Sequence, residues 1–128
     1  MMEADLKNLL LQNPRHLLNI FWQSPISMEY YNSQGRWEWG NPASLKTFGV
    51  TFEDVLGFDL FADSNIPSHL RSALQKGRSI RFSSSFDFST VTYKTDRTGV
   101  AVFEFIMTTL RDDGGKISGY LVQTIEKV

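Results

Sequence analysis

The stretch Asn41–Gly57, NPASLKTFGVTFEDVLG, carries start and stop signals for two short helices in succession. For the first helix, Asn41 is a good N-cap, and Pro42 suits the first helical position, where its missing N–H costs nothing. Gly49 can adopt the left-handed backbone conformation that commonly ends a helix. Together these residues predict a short capped helix over 42–48.

A second helix start follows within two residues. Thr51 is a suitable N-cap, and Asp54 stands three residues later, where its carboxylate can complete a shortened capping box. Gly57 then provides the turn that closes this segment. Each signal is common alone, but the ordered set is a distinctive pattern.

The composition is that of one ordinary globular domain. The chain has 128 residues, of which 41% are hydrophobic and 21% charged, and its apolar stretches are too short to span a bilayer. No signal peptide is recognisable. The 13 basic and 14 acidic side chains are spread along the chain, which argues against a nucleic-acid partner or an anionic membrane surface.

Several classes of chemistry are excluded by residues that the sequence lacks. There is no cysteine, so disulfides, thiolate metal sites, cysteine nucleophiles and a cysteinyl flavin adduct are ruled out. The sequence also has no nucleophile elbow, no His-Glu-x-x-His, no P-loop and no dinucleotide-binding glycine motif. We therefore expect a domain that performs no catalysis.

Two amphipathic helices are predicted at the N-terminus. The first covers about 3–12 and ends at Pro14, and Asn13 and Pro14 then start the second as cap and first residue. The second ends before Pro25. A short leucine stripe on the first helix is not stable alone, so we expect it to pack on the sheet or on its copy in a second chain. The stripe consists of Leu6, Leu9 and Leu10.

Short aromatic-rich strands are predicted on the N-terminal side of the capped helices. They cover 27–31 and 36–39, and the turn between them contains Asn32 and Gly35. The two strands are therefore predicted to form a hairpin. Beyond the capped helices, a helix over about 66–76 has leucines on one face and stops at a glycine.

Three long strands make up the C-terminal half. Period-two alternation predicts one strand at 80–88, with 91–93 as its extension, and another at 100–110. The even residues of the first strand and the odd residues of the second should face inward. A glycine turn then leads into a third strand at 117–125, which is apolar on both faces and should be covered on both. Its outward side, where we expect the N-terminal helices, carries Ile117, Leu121 and Ile125.

The capped-helix stretch resembles the PAS domain family. In that family an Asn-x-Ala opens a short helix, a Gly ends it, and a Glu-Asp-x-x-Gly turn follows, as Asn41-Pro42-Ala43, Gly49 and Glu53-Asp54-Val55-Leu56-Gly57 do in this chain. The order of helices and strands extends the resemblance over about 14–126. It implies an α+β fold with a five-stranded antiparallel sheet, short helices on the inner face and N-terminal helices on the outer face. We expect a flanking helix at 1–12 and the PAS domain at 13–128.

The resemblance also implies a concave inner face that is either solid core or the wall of a small pocket. If a pocket exists, its ligand is expected to be small and apolar or aromatic, because the lining is rich in aromatic and methionine side chains. The candidate lining residues are Met28, Tyr30, Leu70, Leu74, Phe82, Phe86, Phe88, Phe103, Phe105, Met107, Tyr120 and Thr124. The sequence leaves both alternatives open.

Two cofactors occur in PAS relatives, and each requires particular residues. Haem-binding relatives take an iron ligand from a histidine on the long helix, and His69 lies near that position, but in the first turn. Light-sensing relatives carry an Asn-Cys-Arg motif, whereas the corresponding segment 60–65 reads LFADSN, without the cysteine or the arginine. No cofactor is therefore required, and haem through His69 is kept as an alternative function.

The resemblance places the chain in signal transduction. It implies a sensory or dimerisation module of a cytoplasmic protein, most plausibly a bacterial two-component sensor histidine kinase, with a ligand-free protein-interaction module as an alternative. The expected partners are a second copy, through Leu6, Leu9 and Leu10, and an output domain. Many relatives end in an Asp-Ile-Thr that couples to the output domain, where this chain reads Glu126-Lys127-Val128.

Overall fold

A computed structural model describes residues 3–128, apart from the side chains of residues 3–6 and of Leu9. The helices are α1 (Glu3–Gln12), α2 (Pro14–Gln23), α3 (Pro42–Phe48), α4 (Phe52–Val55) and α5 (Ser68–Gln75). The strands are β1 (Ser27–Asn32), β2 (Trp37–Gly40), β3 (Ile80–Asp87), β4 (Val100–Arg111) and β5 (Ile117–Lys127). Two short 3-10 turns lie at Leu60–Ala62 and Phe88–Thr90.

The five strands form one antiparallel sheet in the order β2-β1-β5-β4-β3. The C-terminal strand β5 lies in the centre, paired with β1 on one side and with β4 on the other. The helices α3 and α4 and the short α5 follow one another between β2 and β3. The predicted α+β class and five-stranded sheet are confirmed.

The capping predictions for the two short helices are confirmed in atomic detail. The side chain of Asn41 accepts a hydrogen bond from the backbone N–H of Ser44, and Gly49 has a φ of 64° at the end of α3. At α4, the Asp54 carboxylate accepts the Thr51 backbone N–H at 3.1 Å, and the Thr51 hydroxyl accepts the Asp54 N–H at 3.4 Å. The local signals therefore set these helix bounds.

The inward faces of the long strands are those that alternation predicts. Phe86 on β3 and Phe103, Phe105 and Met107 on β4 are buried, and their sequence neighbours face the other side of the sheet. Central β5 buries Tyr120, Val122 and Thr124 on the same face. This concave face carries most of the core.

The inner face of β1 differs from the prediction. The structure buries Ser27, Glu29 and Tyr31 there and places Met28 and Tyr30 on the outer face, opposite Gln123 and Leu121 of β5. The Tyr30 hydroxyl donates outward, to the Ser118 carbonyl oxygen at 3.0 Å. The interpretation of Met28 and Tyr30 as inner lining is wrong, because the outer face of β1 also needs apolar side chains to pack under α2.

Two further details of the strands are corrected. Residues 91–93 do not extend β3, because the chain turns away in the 3-10 turn Phe88–Thr90, whose cap is the Asp87 side chain. Ile117 packs against the core instead of the outer surface, next to a register irregularity between Leu110 and Arg111. A bulge of this kind shifts which face a side chain occupies.

Helix α2 lies on the outer face of the sheet, as predicted, whereas the packing of α1 on the sheet stays a prediction. The rings of Phe21 and Trp22 on α2 contact Trp39 of β2, with centroids 6.2 and 6.1 Å apart. Nevertheless, none of the side chains of α2 is buried. Within residues 3–128, no helix has the length and apolar character needed to cross a membrane.

Candidate functional site

The space between the concave face of the sheet and the short helices is almost filled. Aromatic rings occupy it, with Phe103 at 5.4 Å from both Phe48 and Phe86, centroid to centroid. A cavity of about 20 Å³ remains, which is room for about one water molecule. Sites for drug-sized ligands measure roughly 300–1,000 Å³, so this interior is a packed core with one small void.

The predicted lining residues separate into three groups around this void. Phe86, Phe105 and Met107 lie on its wall. Met28 and Tyr30 lie on the opposite face of the sheet. The remaining candidates belong to or pack near the core without reaching the void, and they are Leu70, Leu74, Phe82, Phe88, Phe103, Tyr120 and Thr124. A ligand-binding role for these residues stays a prediction.

The polar part of the cavity wall consists of residues that the sequence analysis did not select. Glu29, Tyr31, Asp63 and Tyr93 all lie on it. Glu29 is only 6% exposed, and its Oε2 accepts a hydrogen bond from Nε1 of Trp37 at 2.8 Å. Burial raises the pKa of Glu29 to about 7, and the charge of Asp63 adds to this, although the Trp37 hydrogen bond opposes it.

The other three groups are shifted in the direction of their neutral forms. Burial raises the pKa of Asp63. The hydrogen bonds that its Oδ1 accepts from Asn65 N and Nδ2, at 2.9 and 3.2 Å, and the positive charge of Arg71 lower this pKa but do not cancel the effect of burial. Burial first, and then the nearby carboxylates, raise the pKa of both Tyr31 and Tyr93 above that of free tyrosine. Both phenols therefore remain protonated and available as hydrogen-bond donors.

Sequence reasoning missed Glu29 because the alternation of β1 is ambiguous. The strand reads SMEYYN, with aromatic residues at both 30 and 31, so either set of alternate residues can face the core. Counting apolar residues favours the set that contains Met28. The adjacent strand contains a usable signal, because a buried Trp37 needs an acceptor for its indole N–H, and Glu29 can provide one.

The cofactor candidates find no suitable site in this fold. His69 is exposed on α5 and does not line the cavity. Among the residues described, no group of three histidine, aspartate or glutamate side chains could hold a metal ion. A flavin ring system does not fit into about 20 Å³, so the interior as folded does not match that cofactor.

A larger apolar groove lies on the outer face of the sheet, under α2. It has a volume of about 340 Å³. Its walls are formed by Leu18, Phe21, Tyr30, Trp39, Leu110 and Leu121. On α1 and α2, Leu11, Ile20 and Trp22 are also exposed. Of the predicted dimer contacts, Leu10 is half-buried, whereas the side chains of Leu6 and Leu9 lie outside the described residues.

Comparison with protein families finds the PAS domain over residues 25–125. Among solved structures, an RNA-binding light-oxygen-voltage receptor is similar with a TM-score of 0.74 and 19% identity over 92% of this chain. The match spans only 33% of that receptor, so this chain corresponds to about one third of its length. A comparison with curated proteins found no match.

Two similar structures are of about the same length as this chain. A PAS domain of an HTR-like protein from Haloarcula marismortui has a TM-score of 0.66 at 13% identity, covering 98% of this chain and all of that one. A PAS domain from a two-component sensor histidine kinase has a TM-score of 0.59 at 16% identity, covering 94% and 99%. At these identities the likeness concerns the fold.

Proposed function

Because the chain belongs to the PAS domain family, we propose that this sensory domain is the dimerisation and signal-relay module of a cytoplasmic two-component sensor histidine kinase from a bacterium. The observation that carries the proposal is the apolar surface of the N-terminal helices beside a filled interior. A signal that acts by contact between proteins needs an exposed apolar surface and does not need a cofactor pocket. The similar PAS domain from a sensor histidine kinase supports the choice of output.

Helix α2 is the main element of the proposed dimer contact. It is amphipathic, yet buries no residue within the chain. Exposed apolar side chains clustered in this way usually mark an interaction surface. We also place the domain boundary at 12/13, because Asn13 caps α2 independently of α1 by accepting from His16 N at 3.1 Å.

The proposed relay passes from α2 to the sheet through hydrogen bonds of the Asn41 side chain. Asn41 donates to the carbonyl oxygens of Phe21 and Ile26 at 2.9 Å each, while it caps α3. A shift of α2 on dimerisation would therefore move the start of β1, which pairs with the central β5. Contact with a partner would bias the domain between two packings, and β5 would carry the difference to an attached output domain.

The dimer proposal predicts a large effect of one leucine on α2. Leu18 is 54% exposed and lines the apolar groove, so Leu18→Asp places a charge in the interface and should raise the dimer dissociation constant at least about tenfold. Leu56, at 56% exposure, lies outside this surface, and Leu56→Asp is the matched control. Sedimentation equilibrium of the three proteins gives the answer. A wild-type chain that is monomeric at millimolar concentration, or equal effects of both variants, would refute the interface.

The filled interior predicts a colourless protein. The purified chain should show no visible absorption band, because neither a flavin ring nor a haem fits the cavity and His69 is exposed. The absorption spectrum after expression in haem- and flavin-supplemented cells tests this. A Soret band that disappears in His69→Ala would instead establish the alternative function of a haem-based sensor.

A further inference from the structure

Four ionisable side chains lie around the interior cavity, which is unusual for a hydrophobic core. Glu29 comes from β1, Asp63 follows the 3-10 turn Leu60–Ala62, and Tyr93 comes from the loop before β4. Together with Tyr31 they bring two carboxyl groups and two phenols to the wall of a single void. The rest of the wall is apolar.

The carboxyl group of Glu29 is under-satisfied in this surrounding. A carboxylate accepts about four hydrogen bonds, but within residues 3–128 the Glu29 carboxyl group accepts one, from the Trp37 indole at 2.8 Å. The positive charge of Arg71 on α5 acts on the other carboxyl group, where it lowers the pKa of Asp63. A buried carboxylate next to a half-buried one is costly, and a shared proton reduces this cost.

We propose that Glu29 and Asp63 form an internal proton-binding site, in which one water molecule fills the cavity and hydrogen-bonds to the carboxyl groups and to the hydroxyls of Tyr31 and Tyr93. The void of about 20 Å³ suits one water, and four polar groups supply the two to four partners that a buried water needs. Glu29 takes up this proton as the pH falls through about 7. Loss of the proton leaves two negative charges on the wall of one small cavity.

The site couples proton binding to the fold with a defined sign. The pKa of Glu29 is raised to about 7 from 4.5, so the folded chain binds the proton more tightly than the unfolded chain. The resulting stability is complete below pH 4.5 and is lost as the pH rises through about 7. The idea that the domain senses pH through this site rests on the proposed sensory function, but the existence of the site does not.

A titration of the full chain followed by carboxyl ¹³C NMR tests the site directly. The Glu29 resonance, assigned by its loss in Glu29→Gln, should titrate with a midpoint near 7, and Asp63→Asn should lower this midpoint because it removes the neighbouring charge. Asp113→Asn, in the exposed turn before β5, is the matched control and should leave it unchanged. A Glu29 midpoint near the ordinary pKa of glutamate, or one that does not change in Asp63→Asn, overturns the proposal.

Denaturant unfolding provides a second measurement that does not depend on assignment. The unfolding constant of the wild-type chain should rise about 25-fold between pH 5.5 and pH 8, since the pKa of Glu29 is 4.5 in the unfolded chain and about 7 in the folded one. This rise should be largely absent in Glu29→Gln. In Asp63→Asn, which serves if the first variant does not fold, it should be smaller than in the wild type, because burial still raises the pKa of Glu29 but the charge of Asp63 no longer adds to it. An equal pH dependence in the wild type and the variant contradicts the site. The dimer measurement is independent of both, so failure of the proton site and failure of the relay function are distinguishable.

Discussion

Replacing Phe103 by alanine should destabilise the domain by about 3–5 kcal/mol, the range for large-to-small changes of a buried phenylalanine. Phe103 is 0% exposed, and four other phenylalanine rings have their centroids within 6.0 Å of its own. Its removal leaves a void next to the existing cavity, where the surrounding rings cannot collapse without leaving their own contacts. Urea unfolding should show a lower midpoint with an unchanged slope.

A matched control is Phe52→Ala. Phe52 is 38% exposed and has one aromatic contact, with Trp37 at 5.1 Å between centroids. Because more than a third of its surface is already in water and it has one aromatic contact instead of four, its loss should cost clearly less than that of Phe103. Equal losses for the two variants would mean that the concave face is not the tightly packed core described above.

Asn41→Ala should be about as damaging, with a loss of about 3–5 kcal/mol. Asn41 is 0% exposed, and its Oδ1 accepts from Met28 N and Ser44 N at 3.1 and 3.0 Å, while its Nδ2 donates to Phe21 O and Ile26 O. Alanine leaves these backbone groups without their partner, and each unsatisfied buried group costs about 1–3 kcal/mol. Thermal and urea unfolding measure the loss.

Asn13→Ala is the control that separates this role from ordinary helix capping. Both asparagines precede a proline and cap a helix, but Asn13 is exposed and its side chain makes one hydrogen bond, to His16 N. Its loss should cost only about 1 kcal/mol, the usual value of an N-cap. If Asn41→Ala were equally mild, then Asn41 would not be the link between α2, β1 and α3 that the proposed relay requires.

The local elements of this fold could be read from the chain because their signals act between near neighbours. Asn41, Gly49, Thr51 and Asp54 set the bounds of α3 and α4 through hydrogen bonds and backbone conformations within four residues. Alternation over β3 and β4 is equally local, and it assigned Phe86, Phe103 and Phe105 to the concave face correctly. The family resemblance followed from these same residues.

The face of β1, and with it the candidate site, was decided by packing between distant parts of the chain. Tyr30 lies outside because Leu121 and helix α2 cover it there, and Glu29 is then brought to Asp63 and Tyr93 on the inner side. Neither contact has a signature within a strand that is aromatic on both faces. The volume of the interior is likewise a sum over side chains from every element. Thus local hydrogen bonding and periodicity determined the elements, whereas only the tertiary structure decided that the interior is filled and which charges it encloses.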